Sequence, residues 1–338
     1  MFLRQFKYII AVIEEGHFGR AAERCNVTQP SLSWAIKQLE LELGAPIFLR
    51  GRGQRYQGLT PEGTKVAGWA RHVVAYCEAM RDDVAAMQKN LAGRLRMGAM
   101  PSMSPVLPLL LKMVREQHPN VIMDVQFIGS EAMKAGLNNF DLDVALTYSD
   151  SVDLGGRNVV KIYREKMDLL VPDTAEFHGR TEITWMEASQ LPLAMLRPEL
   201  HERRFIDDIF TSVGQKPQAM VESESILHLM FQVQFADLCT IIPSHFSHMP
   251  GLHPGTRALS LIEPVASQDV CLYWAEGEIM MPMAKALVTV IKKLIKLGGL
   301  GEHFRDVDPA NDLMAQMRNP TLRLPNESNF GTLPVSAT

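Results

Sequence analysis

The stretch from Thr28 to Leu43 encodes a helix with a defined start, a defined end and two unlike faces. Thr28 offers a side-chain oxygen to the free N–H groups of the first turn, and Pro30 stands where a missing N–H costs little. Gly44 and Pro46 stop the helix. Leu32, Ile36, Leu39 and Leu43 recur at helical spacing and are predicted to face the protein. Gln29, Ser33 and Lys37, spaced by four, occupy another face, with Ser31 and Trp34 beside them. Upstream, Phe2, Phe6, Ile9, Ile10 and Ile13 predict an amphipathic helix over 2–15, closed by Gly16. A short helix over 19–24 follows, with Ala21 and Ala22 small enough for close packing, and Asn26-Val27 makes a tight turn. Two short helices joined by such a turn fit the motif that lays its second helix in the DNA major groove. Gln can bond adenine at two points, Ser can bond any base edge, and Lys can take a phosphate or guanine. A plain three-helix bundle with a solvated face fits the same spacing.

The next segment separates the two. Ile47-Phe48-Leu49-Arg50-Gly51-Arg52-Gly53-Gln54-Arg55-Tyr56-Gln57-Gly58-Leu59-Thr60 reads as a short hairpin bearing Arg50, Arg52 and Arg55. A basic hairpin beside a recognition helix is a wing, suited to the narrow minor groove or the flanking phosphates. Gly51-x-Gly53 is not followed by a helix start at the distance a nucleotide loop needs. Charge points the same way. Residues 1–60 hold eight Lys/Arg and five Asp/Glu, a net +3, while the whole chain of 338 residues carries −4. An anionic partner is therefore expected at one end only.

These residues resemble the N-terminus of LysR-type transcriptional regulators. The resemblance is carried by Phe18 with Ala21-Ala22, Thr28-Gln29-Pro30-Ser31-Leu32-Ser33, Ile36-x-x-Leu39-Glu40, Leu43-Gly44, Phe48-x-Arg50 and Leu59-Thr60-Pro61-x-Gly63. It covers about sixty residues and implies a DNA-binding domain over 1–60. Gln29, Pro30, Ser31, Ser33, Trp34, Lys37, Arg50, Arg52 and Arg55 are its candidate DNA contacts. The chain departs from the family pattern at His17 (serine is usual), at Cys25 (leucine is usual) and at Trp34, where arginine or glutamine is frequent. The wing is about two residues longer than the common form.

Thr60 and Pro61 open another helix. Val66, Ala70, Val73, Cys77, Met80, Val84, Met87 and Leu91 alternate spacings of four and three, a heptad seam that predicts a self-paired helix over 61–92. Such a helix spans roughly 45 Å at about 1.5 Å per residue. Packing against its own chain is the alternative. A pair presents two reading heads, which suits a promoter operator with dyad symmetry. The resemblance implies a dimer, often extended to a tetramer, with RNA polymerase as a further partner.

From Gly93 the pattern becomes a parallel α/β one. Strands are predicted near 95–99, 121–128 and 142–148, with helices near 105–117 and 130–138. A second set has strands near 167–171, 192–196 and 240–242, with helices near 202–213 and 226–235. A strand over 269–275 and a helix over 283–297 are expected to return to the first set. The resemblance implies an effector domain over 93–300 built like periplasmic binding proteins. Its lobe I would span about 93–163 and 264–300, and its lobe II about 164–263, with a ligand cleft between them.

In open α/β sheets, ligands sit beyond the carboxyl ends of strands, where helix N-termini favour anions. Met100, Ser102 and Met103 follow the first strand, Ser130 follows the second, and Thr147 ends the third. Arg197 and Pro198 follow a strand of the second set, and Ser225 starts a helix. These residues are the candidate effector contacts, and the expected effector is a small anion such as a carboxylate, formate included. Ser102 as a simple helix cap and Arg197 as a surface residue are the plainer alternatives.

Other function classes find little support. No G-x-S-x-G elbow, Walker loop or H-E-x-x-H occurs, so no enzyme and no cofactor are expected. Cys25, Cys77, Cys239 and Cys271 are scattered, with no metal-ligand spacing, and fit a reducing cytoplasm. Peroxide sensing needs two cysteines together in the second lobe, where only Cys239 lies. His245, His248 and His253 fall in what reads as a loop without a carboxylate partner, so no metal is expected. No run of about 18 apolar residues predicts a membrane span. The segment 301–338, rich in Pro, Asn and Ser, is expected to be a flexible tail of unassigned role.

Overall fold

The computed structural model describes residues 2–50, 56–87, 91–151, 158–247, 255–274 and 280–296. The loop bearing Arg52 and Arg55, His248, His253 and the 301–338 tail lie outside the described residues.

The N-terminal head consists of α1 (Leu3–Glu15), α2 (Phe18–Arg24), α3 (Gln29–Leu43) and the strands β1 (Phe48–Arg50) and β2 (Tyr56–Leu59). Ile9, Val12, Ala21, Leu32, Ile36, Leu39 and Ile47 are fully buried at its centre. Thr28 accepts from the Ser31 N–H, and Gly44 ends α3 in the left-handed region at φ 68°. Leu43 departs from the expected stripe. It lies in the last turn of α3, past the reach of α1 and α2, and is 40% exposed. Glu40 has a role that periodicity does not reveal. Its Oε1 accepts the N–H of Ile47 at 2.9 Å, so α3 holds the start of the wing. β1 and β2 pair antiparallel, Phe48 with Leu59 and Arg50 with Tyr56.

Helix α4 (Pro61–Met87) spans about 40 Å at about 1.5 Å per residue. It ends before Leu91, which is buried just ahead of β3 (Ala92–Ala99) and so leaves the expected seam. The seam needs a second correction. Val66 packs on the head core and Ala70 is fully buried, because the first turns of the seam face their own chain. Among the described residues, Trp69, Tyr76, Met80 and Val84 are the large apolar side chains that α4 leaves exposed.

The chain divides into two compact units. The first holds residues 1–162 and 269–297, the second 163–268. Beyond the head and α4, the first unit contains β3, α5 (Leu107–Gln117), β4 (Asn120–Phe127), α6 (Ser130–Asn138), β5 (Val144–Tyr148), the start of β6 (Val159–Pro172), most of β12 (Ser267–Trp274) and α11 (Pro282–Lys296). β3 lies parallel to both β4 and β5, and β12 adds antiparallel to β5. The pattern is therefore mixed rather than purely parallel. α11 packs on α5, α4 and β3.

In the second unit, β6 pairs antiparallel with β10 (Thr240–Pro243) and β11 (Thr256–Ile262), and β11 lies parallel to β7 (Glu182–Thr184). β8 (Ala194–Leu196) and β9 (Val221–Ser223) form a parallel pair. The helices are α7 (Trp185–Ala188), α8 (His201–Ser212), α9 (Ile226–Ala236) and α10 (Ser244–Ser247). The fully buried Trp185 anchors this core, edge-on to Phe210 at 5.1 Å, with its Nε1 donating to the Pro264 carbonyl at 3.0 Å. His245 is not in a loop. It lies on α10, buried, with Nδ1 2.7 Å from Glu165 Oε1. Among the described residues no group of His, Cys, Asp and Glu is placed to hold a metal ion, and no helix is long and apolar enough to cross a membrane.

Candidate DNA-recognition face and effector loops

The buried stripe of α3 fixes which residues point outward. Gln29, Pro30, Ser31, Trp34 and Lys37 are exposed and Ser33 is half-buried. Trp34 is 65% exposed, so it does not pack into its own chain. Ser31 hydrogen-bonds the Thr28 hydroxyl at 2.8 Å, which ties it to the cap. Ion pairing redistributes the basic charge of the head. Arg24 is held by Glu14 at 2.5 Å and Glu15 at 3.3 Å, and Lys7 by Glu78 at 3.0 Å. Among the described residues Lys37 has no such carboxylate, so its charge remains available to a phosphate or guanine. Arg50 lies at the end of β1, with its backbone opposite Tyr56.

His17 replaces the usual capping serine by a different route. Its Nδ1 accepts from Gly19 N at 3.0 Å and Arg20 N at 3.3 Å, so the imidazole caps α2. Losing such a cap costs about 1 kcal/mol. His17→Ala is therefore expected to lower the urea midpoint of the protein, and His17→Ser to restore it. A His17→Ala protein as stable as the wild type would show that the imidazole adds nothing as a cap.

The effector candidates of the first unit converge through topology. Because β3, β4 and β5 run parallel, the loops beyond their carboxyl ends lie along one edge. Met100, Ser102 and Met103 follow β3 in a short 3₁₀ turn, and all three are buried. Ser102 is not a helix cap, since α5 starts five residues later. Its Oγ accepts from the Tyr148 hydroxyl at 3.3 Å. Ser130 opens α6, whose N-terminus has no side-chain cap, and its hydroxyl lies 3.8 Å from Met100 Sδ. Thr147 is fully buried, with Oγ1 2.6 Å from Ser151 Oγ. Tyr148 and Ser151 are additions to the sequence-based set. Tyr148 reaches a loop 46 residues away in sequence, which no spacing marks, while Ser151 bonds locally, to Thr147 and to the Tyr148 carbonyl at 2.8 Å.

In the second unit, Arg197 and Pro198 follow β8, and Ser225 follows β9. The parallel pair brings them together through the Arg197 N–H on the Ser223 carbonyl at 3.0 Å. Ser225 caps α9, accepting from His228 N. The Arg197 guanidinium is half exposed and already faces Glu199 at 3.3 Å and Glu224 at 3.9 Å. Two carboxylates make it a poorer anion receptor than its type suggests. Arg203 is the buried cation here. It ties the Leu196 carbonyl at 2.5 Å to Glu222 at 3.0 Å and braces the same loop.

The thiols are guarded. Burial pushes Cys239 up to about 12, and burial also raises Cys271 and Cys25. Cys239 and Cys271 belong to different units and, like all four cysteines, are unbridged.

A capped recognition helix backed by a wing, a long exposed-stripe helix and an α/β domain of two lobes define a DNA-binding transcription regulator with an effector-binding domain. The chain belongs to the LysR family. Residues 3–64 match the bacterial regulatory helix-turn-helix protein model of that family, and residues 88–296 match the LysR substrate binding domain. A hydrogen peroxide-inducible genes activator of Haemophilus influenzae is 26% identical over 308 residues, 88% of this chain and 98% of that protein. A probable hydrogen peroxide-inducible genes activator of Mycobacterium xenopi is 34% identical over 174 residues, 51% of this chain and 90% of its own. A full-length cysteine-to-aspartate variant of OxyR from Pseudomonas aeruginosa shares the fold at TM-score 0.69 and 24% identity, covering 86% of this chain and 95% of that one. Full-length CbnR complexed with its target DNA aligns at TM-score 0.61 and 20% identity, covering 87% and 99%.

Proposed function

We propose that this regulator reads a dyad operator with α3 and the wing, as a dimer or tetramer that acts on RNA polymerase, and that a small anion bound at the loops beyond β3, β4 and β5 sets its activity. The observation that carries the effector reading is the gathering of Ser102, Ser130, Thr147 and the uncapped start of α6 at one edge of the first unit. Exposed helix N–H groups attract an anion, and hydroxyls orient it.

The relatives' names raise a second reading, an oxidant sensed through a thiol. Peroxide attacks thiolate, and a thiol near 12 leaves on the order of one part in 10⁵ ionised at pH 7. That chemistry disfavours Cys239 as the sensor.

The test is a thermal-shift panel of small carboxylates on the full-length protein, with hydrogen peroxide as a separate arm. A ligand at about a hundred times its dissociation constant adds about 2.7 kcal/mol of stability. A carboxylate that shifts the wild type but not Ser130→Ala supports the anion reading. No carboxylate shift, with a peroxide effect on operator binding that Cys239→Ser abolishes, would sink it.

A further inference from the structure

Trp34 sits on α3 almost diametrically opposite the buried stripe of Leu32, Ile36 and Leu39, at about 100° per residue. It is flanked one turn back by Pro30, one turn on by Lys37, and two turns on by Leu41, which is itself 65% exposed. Among the described residues no aromatic ring stacks on the indole. A side chain this large and apolar, left in water at the apex of a helix, gains free energy from any apolar surface it meets. Once α3 enters a major groove, such surface is scarce. Base edges there present hydrogen-bonding groups, and thymine alone of the four bases adds a methyl. The flat faces of the bases are closed to the indole while the duplex stays stacked.

We infer that Trp34 is a specificity-determining residue that reads a thymine 5-methyl group in each half-site, with Lys37 beside it holding the backbone or a guanine. The assignment rests on α3 being the recognition helix and adds the base that it selects. It also separates this chain from relatives with arginine or glutamine at the same place, since those side chains read purines.

The experiment uses the full-length protein and duplex DNA enriched by it from a random pool. The enriched site is expected to hold one fixed thymine per half-site. Replacing that thymine by deoxyuridine, which removes only the methyl, is expected to weaken wild-type binding about fourfold to tenfold. Trp34→Ala is expected to bind the thymine site at least about tenfold more weakly and to bind thymine and deoxyuridine sites equally. Trp34→Phe, which keeps an apolar ring, should retain part of the discrimination. A wild type indifferent to deoxyuridine at every thymine overturns the assignment. So does a Trp34→Ala protein that keeps the wild-type preference, or one that binds weakly with no methyl dependence in the wild type, the last pointing to packing on the sugar-phosphate chain. Gln29→Ala and Lys37→Ala separate the two levels. If they lose affinity while Trp34→Ala and the deoxyuridine duplex do not, only the role of Trp34 fails. If none of the three variants changes binding, the placement of α3 fails.

Discussion

Gly63→Ala is expected to unfold the head or dislodge its wing, and with it to abolish operator binding. Gly63 lies in the first turn of α4, where the chain leaves the wing. A Cβ there would stand 1.9 Å from the Ile47 carbonyl oxygen and 2.8 Å from its carbon. Both are backbone atoms already committed. The Ile47 oxygen accepts from Thr60 N at 3.0 Å, and Thr60 Oγ1 in turn donates to the Pro46 carbonyl at 2.6 Å and caps α4 through Gly63 N at 2.8 Å. One added methyl must therefore push apart the junction of wing and helix. Overpacking commonly costs about 1–3 kcal/mol and more against a rigid neighbour. A head of about sixty residues has roughly 3–9 kcal/mol to lose. Gly68 provides the control within the same helix. Nothing lies within 4 Å of a Cβ there, so Gly68→Ala should stabilise α4 by about 0.5–1 kcal/mol. Circular dichroism melts and gel shifts on both variants check this. A Gly63→Ala protein that melts and binds like the wild type would mean the junction is looser than these distances.

What the sequence revealed here was local. The N-cap at Thr28, the stop at Gly44 and the opening of α4 at Thr60-Pro61 each depend on a few adjacent residues, and each is found in the structure. What stayed hidden depends on partners distant in sequence. Glu40 reads as one more charge on a helix, yet it holds the wing. Leu43 obeys the helical period but outruns the helices it should touch. The three-residue strands β7 and β9 carry too little pattern to see, because parallel neighbours make them strands. The candidate effector loops followed from strand order, which alternation of elements encodes. Their hydrogen bonds did not, since Tyr148 reaches Ser102 across the sheet edge. The carboxylates around Arg197 were likewise invisible, although Glu199 is two residues away. Spacing says nothing of which way a loop side chain turns.

The heptad seam shows the same limit and leads to the largest effect on function. The alternation of four and three marks one stripe on α4, and spacing alone does not tell how much of its length the same chain covers. The structure covers the first turns of the stripe, at Val66 and Ala70 with Ala67 beside them, and leaves its later turns, at Met80 and Val84 with Trp69 and Tyr76 alongside, exposed. Trp69, Met80 and Val84 are 69%, 62% and 54% exposed, apolar groups along one face that a lone chain would leave wet. Under the proposed dimer, a second copy of the same helix would cover this ridge with like side chains, as a two-fold pairing requires. Met80→Asp with Val84→Asp then places four carboxylates in the paired ridge while touching nothing inside one chain. The double variant is expected to sediment as a monomer with unchanged helicity. Its operator affinity should fall by about 10²–10⁴-fold, because the second head no longer binds at the effective concentration that the first one gives it. Val66→Asp, at the end of the stripe that packs on the head core, should instead unfold the head and leave no monomer to measure. A double variant that remains dimeric and binds normally would place self-association elsewhere and return the ridge to solvent.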